Sequence, residues 1–437
     1  MIRISVENLE PGMVLATSIP HPRHSGRALL AAGYVMEPKA IAKLPDYGIK
    51  GVWINHPGFD FLDAQVASGI PESRAKLYHD IKRNFTALAK KTAGAFDLQF
   101  YRELISQLIQ ELVKNKDHAV WAERILEEPE ELFSHSANVA YLVMILGMSL
   151  RNYISHERKY VDKRLAQDLT NLGVGAMLHD VGKVSLRPEL RRSHVLDRHE
   201  DEDGYRAHAV AGYELLRGRL DSTASGIILH HHQRFDGKGF PEPTCTHMER
   251  HPEPLRGHRI HVFCRIVAVA NVLDGMMAIC DRKGQPKVAA LAALQATEIR
   301  KMFDPVVFAA AVRSIPPFPV GTCVTLSDGR EAVVIDLNPK RPCQPVVQIL
   351  KRGAGVEDPS GEEMNLAKPG APSITHENRR PVAKYLYIPP EVITRHIAES
   401  YQDEADQATA AFGELLESGT PSGSSSAPAA TSGKGEG

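Results

Sequence analysis

The chain is poor in cysteine and tryptophan and has almost no net charge. Its five cysteines, Cys245, Cys264, Cys280, Cys323 and Cys343, are odd in number and include no C-x-x-C pair. Neither a disulfide framework nor a thiolate zinc site is indicated, which leaves the reduced thiols of a cytoplasmic protein as the expectation. A formal net charge of −1 excludes a surface built to hold nucleic-acid polymers by counterion release. No apolar run reaches about 18 residues, so no membrane span is expected. The N-terminal "MIRISVENLEPGM" carries acidic residues and no apolar core of signal type. Histidine, by contrast, is plentiful: 20 residues, clustered between His179 and His261.

A length of 437 residues points to several domains. Residues 1–57 read as a small α+β module: an alternating strand "MIRISV", a Pro11-Gly12 turn, a helix at "PKAIAKLPDYG" and a closing strand "IKGVWI". Residues 58–118 hold apolar positions three and four apart, as a helical connector does. Residues 119–316 are rich in helical periodicity. Residues 317–394 bring β-branched runs separated by turn residues, a small β-rich domain. Residues 395–437 read as a helical end followed by a Gly, Ser, Pro and Ala tail that buries too little apolar surface to fold. The expected fold class is therefore mostly α, with a small N-terminal α+β module and a small C-terminal β-rich domain.

Chemistry concentrates in the helical segment. Glu131 and His135 stand four apart on one helix face, within reach of a common ion, although such a pair alone is usually a solvated face. In "LGVGAMLHDVGKVSL" an apolar helix runs into His179-Asp180. Adjacent helical residues point roughly 100° apart, so the imidazole and carboxylate reach one ion from neighbouring directions while the carboxylate bridges to a second. His208 opens an amphipathic helix. In "HHHQRFDGKGFP" another apolar helix ends in imidazoles, and the following loop has Gly237 and Gly239, whose backbone allows close approach to a ligand. Asn271 and Asp274 lie three apart on an apolar helix, and buried polar groups there need partners. Many imidazoles with few carboxylates suit divalent iron, manganese, cobalt, nickel or zinc better than magnesium. Two such ions serve phosphoester hydrolysis.

"HDVGK" followed by "HHQRFDGKGFP" resembles the HD-GYP family, an HD-type helical bundle whose members are bacterial phosphodiesterases acting on cyclic di-GMP. The resemblance covers about 119–316. It implies His135, His179, Asp180, His208, His231 and His232 as metal ligands and Glu131 as an additional carboxylate where a third metal is held. It further implies Lys183 at the substrate phosphate, with Asp180 and Lys183 as the catalytic pair, and Asp236, Gly237, Gly239, Arg265 and Arg282 on the substrate side. Two divalent ions, or three with Glu131, of iron or manganese follow, as do pGpG or GMP as products and a homodimer or a signalling protein as partner. His230 falls outside the ligand set, and His247, His251, His258 and His261 read as a solvated insertion. The chain has Gln233 and Phe240 where the family has glutamate and tyrosine, changes that keep size or ring. Asn271 replaces the aspartate that supplies the last ligand, leaving one metal more weakly held unless Asp274 compensates. The alternative is an impaired domain that binds cyclic di-GMP or a protein; a third reading is an HD hydrolase acting on another nucleotide.

Overall fold

Alternation at the N-terminus places Ile2 inward in strand β1 (Ile2–Ser5). There follow β2 (Ile19–Pro20), β3 (Ala28–Leu30), α1 (Pro38–Lys43), which starts on a proline, and β4 (Gly51–Ile54). β1 and β4 pair antiparallel with Ile2 opposite Ile54, and β2 pairs with β3. Val6, Leu15, Met36, Leu44, Val52 and Ile54 make this unit's core. The computed structural model describes residues 1–21, 27–63, 79–83, 85–87, 97–114, 131–187, 190, 203–242, 254–350 and 360–389. The chain divides into Met1–Pro390 and Glu391–Gly437. The second unit, with the expected tail, lies outside the described residues.

The helical part contains α2 (Leu98–Lys114), α3 (Glu131–Ser149), α4 (Arg151–Glu157), α5 (Lys163–Ala166), α6 (Thr170–Leu178), α7 (Asp203–Leu215) and α8 (Ser222–His230). It continues with α9 (Val262–Arg282), α10 (Lys287–Leu294), α11 (Thr297–Arg300) and α12 (Pro305–Ser314). Capping sets several starts: the Asp162, Asp221 and Asp304 carboxylates each accept from backbone N–H groups at the first turn of α5, α8 and α12. α3 and α9 are apolar on nearly every face, and such helices are stable only when surrounded. Both are long and apolar enough to cross a membrane by composition, but 78% and 94% of those stretches is buried inside the fold. Tyr101, Leu142, Leu172, Ile227, Leu273 and Phe308 are among the residues of the one large core that these helices share.

After α12 the pattern switches to period two, giving β5 (Cys323–Leu326), β6 (Glu331–Asp336), β7 (Val346–Leu350), β8 (Ser360–Asn365), β9 (Ile374–Glu377) and β10 (Arg380–Pro381). They form one antiparallel sheet ordered β10-β9-β5-β6-β7-β8. The fold is thus mostly helical with a C-terminal sheet, as expected. Less expected is the meeting of the chain's two β regions. Ile2, Phe59 and Leu62 share an apolar cluster with Val320 and Val333, and the Arg3 N–H donates to the Gly321 carbonyl at 2.9 Å.

Candidate metal centre

Two helix ends and three helix faces converge. His179 and His231 each follow the last residue of an apolar helix, α6 and α8. His208 comes from α7, and His135 from α3 faces Asn271 and Asp274 of α9. His135, His179, Asp180, Lys183, His208, His231, His232, Asn271 and Asp274 are all buried. Glu131 begins α3, but its side chain lies outside the described residues.

Among the described residues, potential ligand atoms fall into two groups. Asp180, His208, His231 and His232 form one, His135, His179 and Asp180 the other; within each, one ligand atom per residue lies within 4.8 Å of the rest. Asp180 belongs to both. Its Oδ1 lies 3.4 Å from His208 Nε2 and 3.7 Å from His231 Nε2, whereas Oδ2 lies 3.3 Å from His179 Nε2 and 3.5 Å from His135 Nε2. One carboxylate therefore offers an oxygen to each side.

Backbone carbonyls fix the imidazole tautomers. Nδ1 of His179, His208 and His231 lies 2.8, 2.6 and 2.8 Å from the carbonyls of Ala176, Tyr205 and Ile228, three residues earlier in each case. A carbonyl only accepts, so Nδ1–H donates and Nε2 is left with its lone pair. This is the orientation that metal-ligating histidines adopt. His135 is set by a carboxylate instead, its Nδ1 donating to Asp274 Oδ2 at 2.7 Å.

The donor set fits cations. His208 Nε2 and His231 Nε2, both lone-pair atoms, stand 3.3 Å apart, and His232 Nε2 is 3.1 Å from His208 Nε2. On the other side, His135 Nε2 faces the Asn271 Oδ1 acceptor at 2.9 Å. His179 Nε2 and both Asp180 oxygens are buried without a hydrogen bond of acceptable geometry. Acceptors crowded against acceptors repel unless a positive charge lies between them. Burial pushes His208 down to about 3 and His231 to about 4, and takes His232 well below the usual imidazole range, so these rings stay neutral and ready to coordinate. Burial alone favours protonated Asp180, but the Lys183 ammonium beside it outweighs that effect and holds the carboxyl well below its usual range. Lys183 Nζ is 2.7 Å from Asp180 Oδ2.

The remaining expected residues divide. Asp236 is paired with Arg234 at 2.6 Å and also accepts the Lys238 N–H, so it shapes the loop. Gly237 sits at φ 82°, in the left-handed region. A Cβ on Gly239 would collide with the backbone of His232 and Arg234. Gln233 donates through Nε2 to the Pro241 carbonyl at 2.6 Å, a bond that an ionised glutamate has no proton to make. Arg265 is not brought to the histidines: its guanidinium is bound to Glu157, Asp304, Tyr153 and the Ile260 carbonyl. Arg282 is exposed at the end of α9, roughly 12 Å along the axis from Asp274.

His258 and His261 are not merely solvated. The first pairs with Glu157, and the second caps α9. His247 and His251 lie outside the described residues.

Sequence reasoning missed Tyr205, whose ring meets His208 with centroids 4.9 Å apart and has Lys183 Nζ 5.3 Å from its centroid. Its place one helical turn before His208 is the signal that was available. Gly182 of the H-D-x-G-K run was likewise left without a role. A Cβ there would run into the His208 carbonyl and the Gly212 nitrogen of α7, so only glycine lets the Asp180 turn lie against the helix that carries His208.

Residues 132–276 match the HD domain family. A cyclic di-GMP phosphodiesterase of Pseudomonas aeruginosa is 24% identical over 350 residues, covering 73% of this chain and 78% of that protein. The cyclic di-GMP phosphodiesterase response regulator of Xanthomonas campestris is 28% identical over 158 residues, 35% of this chain and 39% of that one. A 3'3'-cGAMP-specific phosphodiesterase of Vibrio cholerae is 33% identical over 105 residues, 23% of this chain and 18% of that one. The chain thus spans most of the first relative's length but well under half of the other two.

Proposed function

From an HD domain at residues 132–276 whose two histidine groups share one carboxylate, we propose that the chain is a metal-dependent phosphodiesterase that hydrolyses cyclic di-GMP to pGpG, GMP or both. The sharing of Asp180 carries this reading. It supports two divalent ions, iron or manganese, one held by His208, His231, His232 and Asp180, the other by His135, His179, Asp180 and Asn271. Bound there, divalent ions supply Lewis acidity toward a phosphodiester oxygen and lower the pKa of an attacking water. The chain's own groups do the rest. Asp180, ionised and buried, fixes the two ligand groups in register. Lys183 adds positive charge against that carboxylate, where it offsets negative charge developing on the phosphate in the transition state. Asp274 holds the ring of His135, and Tyr205 packs beside both Lys183 and His208.

Asn271 is a weaker ligand than a carboxylate, yet its side-chain oxygen stands beside His135 Nε2 at 2.9 Å. Every other member of the two groups is retained, which favours an active enzyme over an impaired binding module. The test is chromatography of products from protein purified anaerobically with its metals, given cyclic di-GMP or 3'3'-cGAMP in parallel. Linear products from cyclic di-GMP, formed faster than from 3'3'-cGAMP, are expected. Metal-loaded protein that leaves cyclic di-GMP intact contradicts the proposal.

A further inference from the structure

Hydrogen bonds orient four of the centre's histidines: backbone carbonyls hold Nδ1 of His179, His208 and His231, and Asp274 holds Nδ1 of His135. His232 is the exception. It stands past the end of α8, and among the described residues its ring makes one contact of hydrogen-bond length, Nε2 at 3.1 Å from His208 Nε2. Both of those atoms face the ion group, so their contact leaves the tilt of the His232 ring to be set by something else.

Phe240 lies flat on that ring, with centroids 4.4 Å apart and 18° between the planes. Tyr205 meets both rings edge-on, its centroid 6.0 Å from His232 and 6.4 Å from Phe240. Phe240 is buried, and the loop that carries it closes back on its own start. The Phe240 N–H donates to the His232 carbonyl at 3.3 Å, and the buried Gln233 donates through Nε2 to the Pro241 carbonyl at 2.6 Å. Gly239 approaches the His232 carbonyl and the Arg234 nitrogen so closely that a Cβ there would force the two ends of the loop apart. Aromatic pairs hold preferred stacked geometries. The stack therefore resists tilting of the His232 imidazole, as an Nδ1 hydrogen bond does for the other rings.

We propose that Phe240, clamped by Gln233, is the positioning residue for His232 and aims its Nε2 at the ion shared with His208, His231 and Asp180, an assignment that rests on the metal centre proposed above. The role needs an aromatic plane and no hydroxyl. The test titrates metal-free wild-type, Phe240→Leu, Phe240→Tyr and Gln233→Met protein with manganese by calorimetry, and records the visible absorption of each protein loaded with cobalt instead. Phe240→Leu weakens one of the two affinities about tenfold, the one that Asp274→Asn leaves unchanged. Gln233→Met, which keeps length and loses the donor, weakens the same affinity, whereas Phe240→Tyr binds as the wild-type does. The double variant Gln233→Met with Phe240→Leu loses no more than Phe240→Leu alone, because Gln233 acts through the ring. The cobalt bands shift in Phe240→Leu and Gln233→Met and stay in place in Phe240→Tyr. Phe240→Leu protein with wild-type affinities and bands overturns the assignment. Equal weakening of both affinities overturns it too, since the ring then supports the fold at large rather than His232. Wild-type protein that takes up no divalent ion overturns the metal centre and this assignment with it.

Discussion

Asp180 and His135 show how single residues set the centre's chemistry. Asp180 divides its two oxygens between the ligand groups, and His135 is held by one α9 side chain on each ring nitrogen, Asp274 at Nδ1 and Asn271 at Nε2. Under the proposed ligand assignment, the two α9 positions tune one metal in opposite ways. Asp274→Asn removes the carboxylate that fixes the ring and weakens metal affinity by about 10-fold to 100-fold at that side, whereas Asn271→Asp adds a charged ligand and tightens it. Calorimetric titration of metal-free protein with manganese resolves the two sides, and unchanged affinity in both variants contradicts the assignment. Much of this was legible in the sequence, because the histidines at the ends of apolar helices and the neighbouring His179-Asp180 pair are local features. The placement of Asp274 on the Nδ1 side of His135 was not. It depends on how α3 crosses α9, which no spacing within α9 encodes.

Helices α4, α9 and α12 are tied together by charge in an otherwise apolar core. Arg265 of α9 meets Glu157 of α4 and Asp304, and Asp304 also caps α12 and accepts from Tyr153 at 2.6 Å. Removing one member of a buried ion pair leaves the others uncompensated. Arg265→Ala accordingly lowers unfolding free energy by about 3 kcal/mol in urea titrations, while KM of the folded fraction stays unchanged; a changed KM with unaltered stability supports the substrate-side role that the resemblance implied. The start of α9 has its own pH sensitivity. His261 Nδ1 accepts the Phe263 N–H at 3.2 Å, which only the neutral ring does. Although His261 keeps an exposed face, partial desolvation of its ring by the surrounding chain, with the charges of Arg158 and Arg265, holds it down to about 4. As pH falls below roughly 6.5 the unfolded ring gains a proton that the folded ring refuses, so this contribution to stability is present above that pH and fades toward about 4. His261→Asn keeps a capping oxygen that does not titrate. Melting temperatures from pH 7.5 down to 5 are expected to shift in favour of the variant relative to wild-type as pH drops, and parallel curves contradict this. Helix existence was readable from periodicity. The Arg265 hub was not, since its partners lie 108 and 39 residues away.

Across the whole molecule, the first residues close over the last sheet. Ile2, Phe59 and Leu62 cover Val320 and Val333, Arg380 pairs with Glu7 at 3.0 Å, and Lys50 Nζ donates to the Asp281 carbonyl near the end of α9 at 3.2 Å. The N-terminal module thus contacts the same helix that carries Asn271 and Asp274. Deleting residues 1–63 bares the apolar side of the sheet, and the remaining chain is expected to lose solubility or to melt several degrees lower; a truncated chain as soluble and stable as wild-type contradicts that packing. Strand and helix modules at the two ends were legible from their periods, whereas their meeting was not, because burial of a shared apolar cluster leaves no pattern in either segment alone. The central claim, two ion sites joined through one carboxylate, is tested most directly by metal content per chain in anaerobically purified wild-type and Asp180→Asn protein. The proposal predicts two divalent ions in the wild-type and loss from both sites in the variant, and a variant that keeps a full ion in either site contradicts it.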